Sequence, residues 1–132
     1  MKLLADTGAL LAFLLKNDQH HQAAVKFVQA NPNARFVLSS LILSEVVTRI
    51  RARTDAARAA ETGRRILDSR CYSVVFVDAP LMQGGLNRLE RFADKRLSLT
   101  DSVSFELIDR LGLQGAFAFD RDFRDCGFSM VP

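Results

Sequence analysis

The run Lys2-Leu3-Leu4-Ala5-Asp6-Thr7-Gly8-Ala9-Leu10-Leu11-Ala12-Phe13-Leu14-Leu15 decides how the rest of this chain is read. Leu3 to Ala5 form a short apolar run, Asp6-Thr7-Gly8 a polar turn, and Ala9 to Leu15 an apolar stretch of helical character, which together spell strand, turn, helix. From Leu10 to Leu15 the helix is hydrophobic almost all round. It must therefore be buried, either inside its own domain or against another chain, and a partner interface follows naturally from the second option.

The same grammar continues along the sequence. Lys16-Asn17-Asp18-Gln19 reads as a helix end and a new cap, after which Ala23, Ala24, Phe27 and Val28 recur at helical spacing until Asn31-Pro32-Asn33. Phe36 to Leu38 is a second strand. Ser39-Ser40 caps a helix from about Leu41 to Arg53, and Thr54 or Asp55 caps an amphipathic helix from Asp55 to Ser69. A third strand, Tyr72 to Val77, ends at Asp78-Ala79-Pro80, a natural opening for the helix Leu81 to Ala93. Ser98-Leu99-Thr100-Asp101 caps a helix from about Ser102 to Leu111. Ala116 to Phe119 is a fourth strand, and Gly127 to Val131 a short fifth. Strands alternating with helices predict an α/β fold with a mainly parallel sheet covered on both faces.

At 132 residues and 48% hydrophobic content, the chain is expected to form one domain over residues 1–132. No apolar run approaches the roughly 18 residues of a membrane span, and Asp6 behind a single Lys2 spoils a signal-peptide pattern. A cytoplasmic protein is the expectation. Cys71 and Cys126 are too few for a disulfide framework and lie in no zinc spacing, so both are expected to be buried, reduced thiols.

Four carboxylates carry the chemistry: Asp6 and Asp120 each end an apolar strand, and Glu45 and Asp101 sit near helix starts. In open parallel sheets functional groups gather outside the carboxyl ends of the strands, so all four can reach one edge, with Thr7 and Thr100 supplying hydroxyls there. Clustered acids raise one another's pKa and call for a divalent cation. Carboxylate oxygens without a Cys/His set suit Mg²⁺ or Mn²⁺, and such a site can promote phosphodiester hydrolysis. Each acid also has an ordinary reading: a helix cap for Asp6 or Asp101, a solvated first-turn residue for Glu45, turn chemistry for Asp120. Two other functions compete with a nuclease. One is a phospho-acceptor or phosphatase-like domain, although Asp6-Thr7-Gly8 lacks an Asp-x-Asp nucleophile pair. The other is a non-catalytic module that binds metal and nucleic acid.

Leu4-Ala5-Asp6-Thr7-Gly8-Ala9-Leu10, Leu43-Ser44-Glu45-Val46, Leu99-Thr100-Asp101-Ser102 and Phe119-Asp120-Arg121-Asp122-Phe123 with Gly127-Phe128 come in one order and span nearly the whole chain. In this the sequence resembles the PIN-domain ribonucleases, and most of all the VapC-type toxins of bacterial toxin–antitoxin pairs. The resemblance implies a three-layer α/β/α fold with a sheet of four to five strands and a Mg²⁺- or Mn²⁺-dependent cut in RNA. It implies Asp6, Glu45 and Asp101 as the core metal-binding acids, Asp120 as the fourth, Thr7 and Thr100 as polar supporters, and Asp122 as a supporting or alternative acid. It further implies a homodimer and a cognate antitoxin whose C-terminal segment covers the acidic groove. Ser104 departs from the commonest toxin pattern, which has Ala or another small residue there.

From Arg49 to Arg70, seven arginines stand against Asp55, Glu61 and Asp68. Arg49, Arg51 and Arg53 are the candidates for RNA phosphate contact, against a merely solvated helix face. His20-His21 is open to an RNA-facing or proton-transfer role, or to an ordinary surface one. No aromatic ladder for base stacking stands out, and most of the ten Phe are expected in the core.

Overall fold

The computed structural model describes residues 1–132. Five strands, β1 (Lys2–Ala5), β2 (Arg35–Ser39), β3 (Tyr72–Val75), β4 (Ala116–Phe117) and β5 (Met130–Val131), form one sheet in the order β3-β2-β1-β4-β5. Every neighbouring pair is parallel. β1 lies at the centre, with Leu4 in register with Val37 on one side and Ala116 on the other. That place explains its sequence: a central parallel strand is covered on both faces, and Leu3, Leu4 and Ala5 are all buried.

The helices are α1 (Thr7–Leu14), α2 (His21–Ala30), α3 (Ser40–Arg53), α4 (Ala56–Asp68), α5 (Ala79–Arg91), α6 (Leu99–Leu111) and α7 (Asp122–Asp125). From β1 the chain steps outward to β2 and then β3 through α1 to α4. It then crosses back over β1 through α5 and α6 to reach β4. Right-handed crossovers put the first four helices on one face and α5 and α6 on the other, giving three layers. The all-round hydrophobicity of α1 is satisfied within the fold, since Ala9, Leu10, Leu11 and Ala12 are buried and, of its apolar side chains, only that of its last residue, Leu14, is exposed.

Local chemistry adjusts several boundaries. β3 stops at Val75, two residues short of expectation, because the Ser40 hydroxyl takes the Val77 amide at 3.0 Å and Phe76 swings out to solvent. α6 opens at Leu99, where Ser98 and Asp101 form a capping box, and closes on Gly112 in the left-handed region at φ 59°. The short helix α7 has no counterpart in the hydrophobic pattern. Cys71 is exposed and Cys126 half-buried, so the expectation of two buried thiols fails: Cys71 lies in the turn leading into an edge strand.

α5 and α6 pack closely because Gly85 leaves room for Val103, whose Cγ2 lies 2.5 Å from where a Cβ would stand. The same pair is joined by Arg88, a buried cation bonded to Glu106 at 2.6 Å and to Asp109. On the core side of α6 the Ser102 and Ser104 hydroxyls are buried without a partner.

Candidate metal centre

The strand order reverses direction between β1 and β4, and this is where an open parallel sheet leaves a crevice at its carboxyl edge. Asp6 directly follows β1, and Asp120 lies three residues beyond β4. α3 and α6 bring Glu45 and Asp101 to the same place from opposite faces of the sheet. The result is a cavity of about 280 Å³ lined by Asp6, Thr7, Gly8, Glu45, Arg49, Ser98, Asp101 and Asp120, with no large apolar side chain. Four acids share it with one cation, Arg49.

Each acid is held differently. Asp6 occupies the N-cap position of α1, yet its carboxylate makes no capping hydrogen bond, so helix capping does not account for it. Glu45 is gripped at both oxygens: Thr7 donates to Oε2 and Thr100 to Oε1, each at 2.9 Å. Asp101 belongs to the capping box, accepting from the Ser98 amide at 3.4 Å while its own amide donates to Ser98 Oγ. Asp120 Oδ1 accepts from the Asp122 amide at 2.9 Å, so its turn role coexists with a place in the cavity. Capping and turn geometry here aim the carboxylates and leave oxygen atoms free.

The electrostatic cost is largest at Asp6. Burial, reinforced by the charge of Asp101 and then of Asp120 and Glu45, pushes its carboxyl up to about 7, with the Thr7 amide working the other way. Asp101 is also raised, by burial first and by Asp120 and Asp122, with its Ser98 hydrogen bonds opposing. Asp122 is raised by burial and by Asp120 and Asp125, against Lys95.

Carboxylate oxygens of Asp101, Asp120 and Asp122 lie within 4.8 Å of one another. This trio and the cavity overlap at Asp101 and Asp120, while Asp6 and Glu45 flank it. The donor set is all carboxylate with neighbouring hydroxyls and contains no His or Cys, which fits a hard divalent cation with oxygen ligands. Opposed negative charge this close is also what a cation would relieve.

Residues 3–129 match the PIN domain. The chain belongs to the PIN-domain family. It is 30% identical to the 23S rRNA-specific endonuclease VapC20 of Mycobacterium tuberculosis over 129 residues, covering 98% of this chain and 97% of that protein. The crystal structure of the same organism's VapC20, described as a Sarcin-Ricin loop cleaving toxin, superposes with a TM-score of 0.86 at 29% identity over 96% of each chain. A toxin–antitoxin complex from Klebsiella pneumoniae matches at a TM-score of 0.69 over 98% of this chain and 96% of that one. At 12% identity it shares the fold alone.

Within this PIN fold the basic candidates separate. Arg49 follows Glu45 by one helical turn and reaches the cavity. Arg53, one turn further, lines a different hollow with Lys16 and Asn17, and Arg51 points about 200° away from Arg49 around α3. His21 is fixed on the fold, its Nδ1 lying 2.8 Å from the Ala12 carbonyl oxygen. Ser98 and Gly8 are cavity residues that the sequence reading passed over. Ser98 could have been found by asking which N-cap stands three residues before a candidate acid.

Proposed function

We propose that this protein is a Mg²⁺- or Mn²⁺-dependent endoribonuclease, the toxin of a toxin–antitoxin pair. The observation that carries the reading is the joining of four acids from β1, α3, α6 and the β4–α7 turn in one polar cavity of a PIN fold. The similarity to an rRNA endonuclease over nearly all of both chains supports RNA as the substrate class.

In this reading Asp101, Asp120 and Asp122 hold a divalent cation with Asp6, and Glu45 completes the acidic wall in an orientation set by Thr7 and Thr100. When bound, the cation supplies Lewis-acid polarisation of the phosphate and a water acidic enough to attack it near neutral pH. The protein's own side chains position and neutralise. Both threonine hydroxyls donate to Glu45, and in this reading they fix that carboxylate while water, not a side chain, attacks phosphorus. Arg49, the one cation in the cavity, takes a non-bridging phosphate oxygen.

Purified protein incubated with total RNA and Mn²⁺ is expected to give discrete fragments, to stop with EDTA, and to be silent as Asp6→Asn or Asp101→Asn. Cleavage undiminished in either variant would overturn the assignment. The partners proposed are a cognate antitoxin, whose terminal segment covers the acidic cavity, and a second copy of this chain. Light scattering on the purified toxin, alone and with the co-expressed antitoxin, reads both. The cytoplasm is the proposed place of action.

A further inference from the structure

The imidazole of His20 lies flat on the ring of Phe119, with centroids 4.3 Å apart and planes 6° from parallel. The two residues are far apart in sequence, and each has a distinct position. Phe119 is half-buried and packs behind against Phe117 of β4, itself fully buried. Its chain neighbour is Asp120, whose carboxylate lines the acidic cavity. His20 is exposed at the start of α2, and its open face is the outermost member of a series running Phe117, Phe119, His20, solvent.

The backbone that carries the imidazole is held in place before anything binds, and the ring itself rests on Phe119. The His20 amide donates to Asp18 Oδ1 at 2.8 Å, and the His20 carbonyl accepts from the Ala24 amide at 3.0 Å. His21, the next residue, is pinned on Ala12 of α1. An exposed histidine at a helix start has no need of a coplanar aromatic support 4.3 Å away. A flat ring, backed by a second ring whose chain neighbour Asp120 lines the acidic cavity, has the shape of a stacking platform for a base.

We infer that His20, backed by Phe119, stacks on a nucleobase of the RNA strand whose phosphate lies in the acidic cavity, and so sets the register of that strand. This rests on the nuclease reading for the identity of the strand, but its test does not depend on cleavage. Arg49 on α3 and His20 on α2 then divide the work, one contacting phosphate and the other a base.

The test is binding in Ca²⁺, which compensates the acids of the cavity, read by fluorescence anisotropy, with the RNA recovered afterwards to verify that it stays intact. The probes are a labelled oligoadenylate of about twelve nucleotides and an abasic ribose-phosphate oligomer of equal length and charge. His20→Ala is expected to bind oligoadenylate about tenfold more weakly and the abasic oligomer as wild type does. His20→Phe, which keeps a flat ring on Phe119, is expected to bind oligoadenylate within about twofold of wild type. Equal weakening on both probes would make His20 a backbone contact, and no weakening on either would make the stack purely structural; each overturns the inference. A wild-type protein that cuts no RNA with any divalent cation, yet shows the base-dependent His20 effect, would remove the nuclease reading and leave the platform standing.

Discussion

Thr100 donates its hydroxyl to Glu45 Oε1 at 2.9 Å and thereby ties the first turn of α6 to the second turn of α3, across the carboxyl edge of the sheet. Thr7 takes the other oxygen from α1. With one donor on each oxygen, the Glu45 carboxylate has a fixed plane. Removing one hydroxyl leaves the acid in the cavity but free to rotate. Thr100→Val, close in shape and lacking the donor, is expected to lower Mn²⁺ affinity or cleavage rate by about 10-fold while costing only about 1 kcal/mol of stability. Thr100→Ser is expected to recover most of the loss. Calorimetric Mn²⁺ titration beside a thermal melt separates the two effects, and a full-affinity Thr100→Val would remove the positioning role.

The Asp6 carboxyl, pushed up to about 7 from an ordinary 3.8, makes the metal-free protein sensitive to pH in a particular direction. A raised carboxylate pKa means the fold favours the protonated form. Stability is therefore undiminished below about 3.8, declines as pH rises toward 7, and is level in this respect above it. About three pKa units correspond to an upper bound of roughly 4 kcal/mol. Asp101 and Asp122 are raised too and add to the same slope. Urea melts in EDTA across this window are expected to show falling stability for wild type and a flatter profile for Asp6→Asn. At pH 8, Mg²⁺ is expected to stabilise wild type and to do little for Asp6→Asn. A wild-type profile that rises from pH 4 to 7 in EDTA would refute the burial argument at Asp6.

Much of this arrangement was legible in the sequence because it depends on period and punctuation. The short apolar runs before Asp6 and Asp120 read as strands, and β1 and β4 are neighbours in the sheet. Once both strands are parallel, Asp6 and Asp120 have no choice but to face one edge. The fine grouping was not legible: which acids close to within 4.8 Å depends on the tight turn after Asp120 and on α7, four residues long with no periodicity to detect. Charge density along the sequence does not distinguish Arg49, Arg51 and Arg53, and only the rotation of α3 separates Arg49 from the rest. The His20–Phe119 stack joins residues that no local pattern connects.

Arg88 offers a prediction about the scaffold that carries Asp101. Arg88 is 8% exposed, its guanidinium bonded to Glu106 and Asp109 and lying 6.0 Å from the centre of the Phe128 ring. Glu106, whose carboxyl Arg88 above all holds below the usual range, would keep only Arg110 after Arg88→Ala. Breaking a buried pair costs about 3 kcal/mol, so the melting temperature is expected to fall by about 10 °C. The contacts lie in the second and third turns of α6, away from Thr100 and Asp101 at its start. Cleavage at 20 °C, well below the melt, is therefore expected to stay within about threefold of wild type. A larger rate loss with an unchanged melt would mean that α5 steers the cavity directly.

Arg49 stands in the cavity with four acids and makes no ion pair within 4.0 Å. It follows Glu45 by one turn, so it shares the face that α3 presents to the sheet edge. A cation left unpaired among acids is free to meet phosphate, and each phosphate neutralised on a single strand contributes about −0.7 to the slope of log K against log salt. Arg49→Gln is expected to lower RNA affinity about tenfold and to flatten that slope by about one contact. Arg51→Gln, on the opposite side of the helix, is expected to change both much less. Anisotropy titrations of a labelled RNA in Ca²⁺, at three salt concentrations, give the slope for each protein. Equal slopes for the two variants would place the phosphate path elsewhere and return Arg49 to the role of counter-charge for the acids. That role has its own signature: without a cation, Arg49→Gln removes the only positive side chain among Asp6, Glu45, Asp101 and Asp120, and the metal-free protein melts earlier.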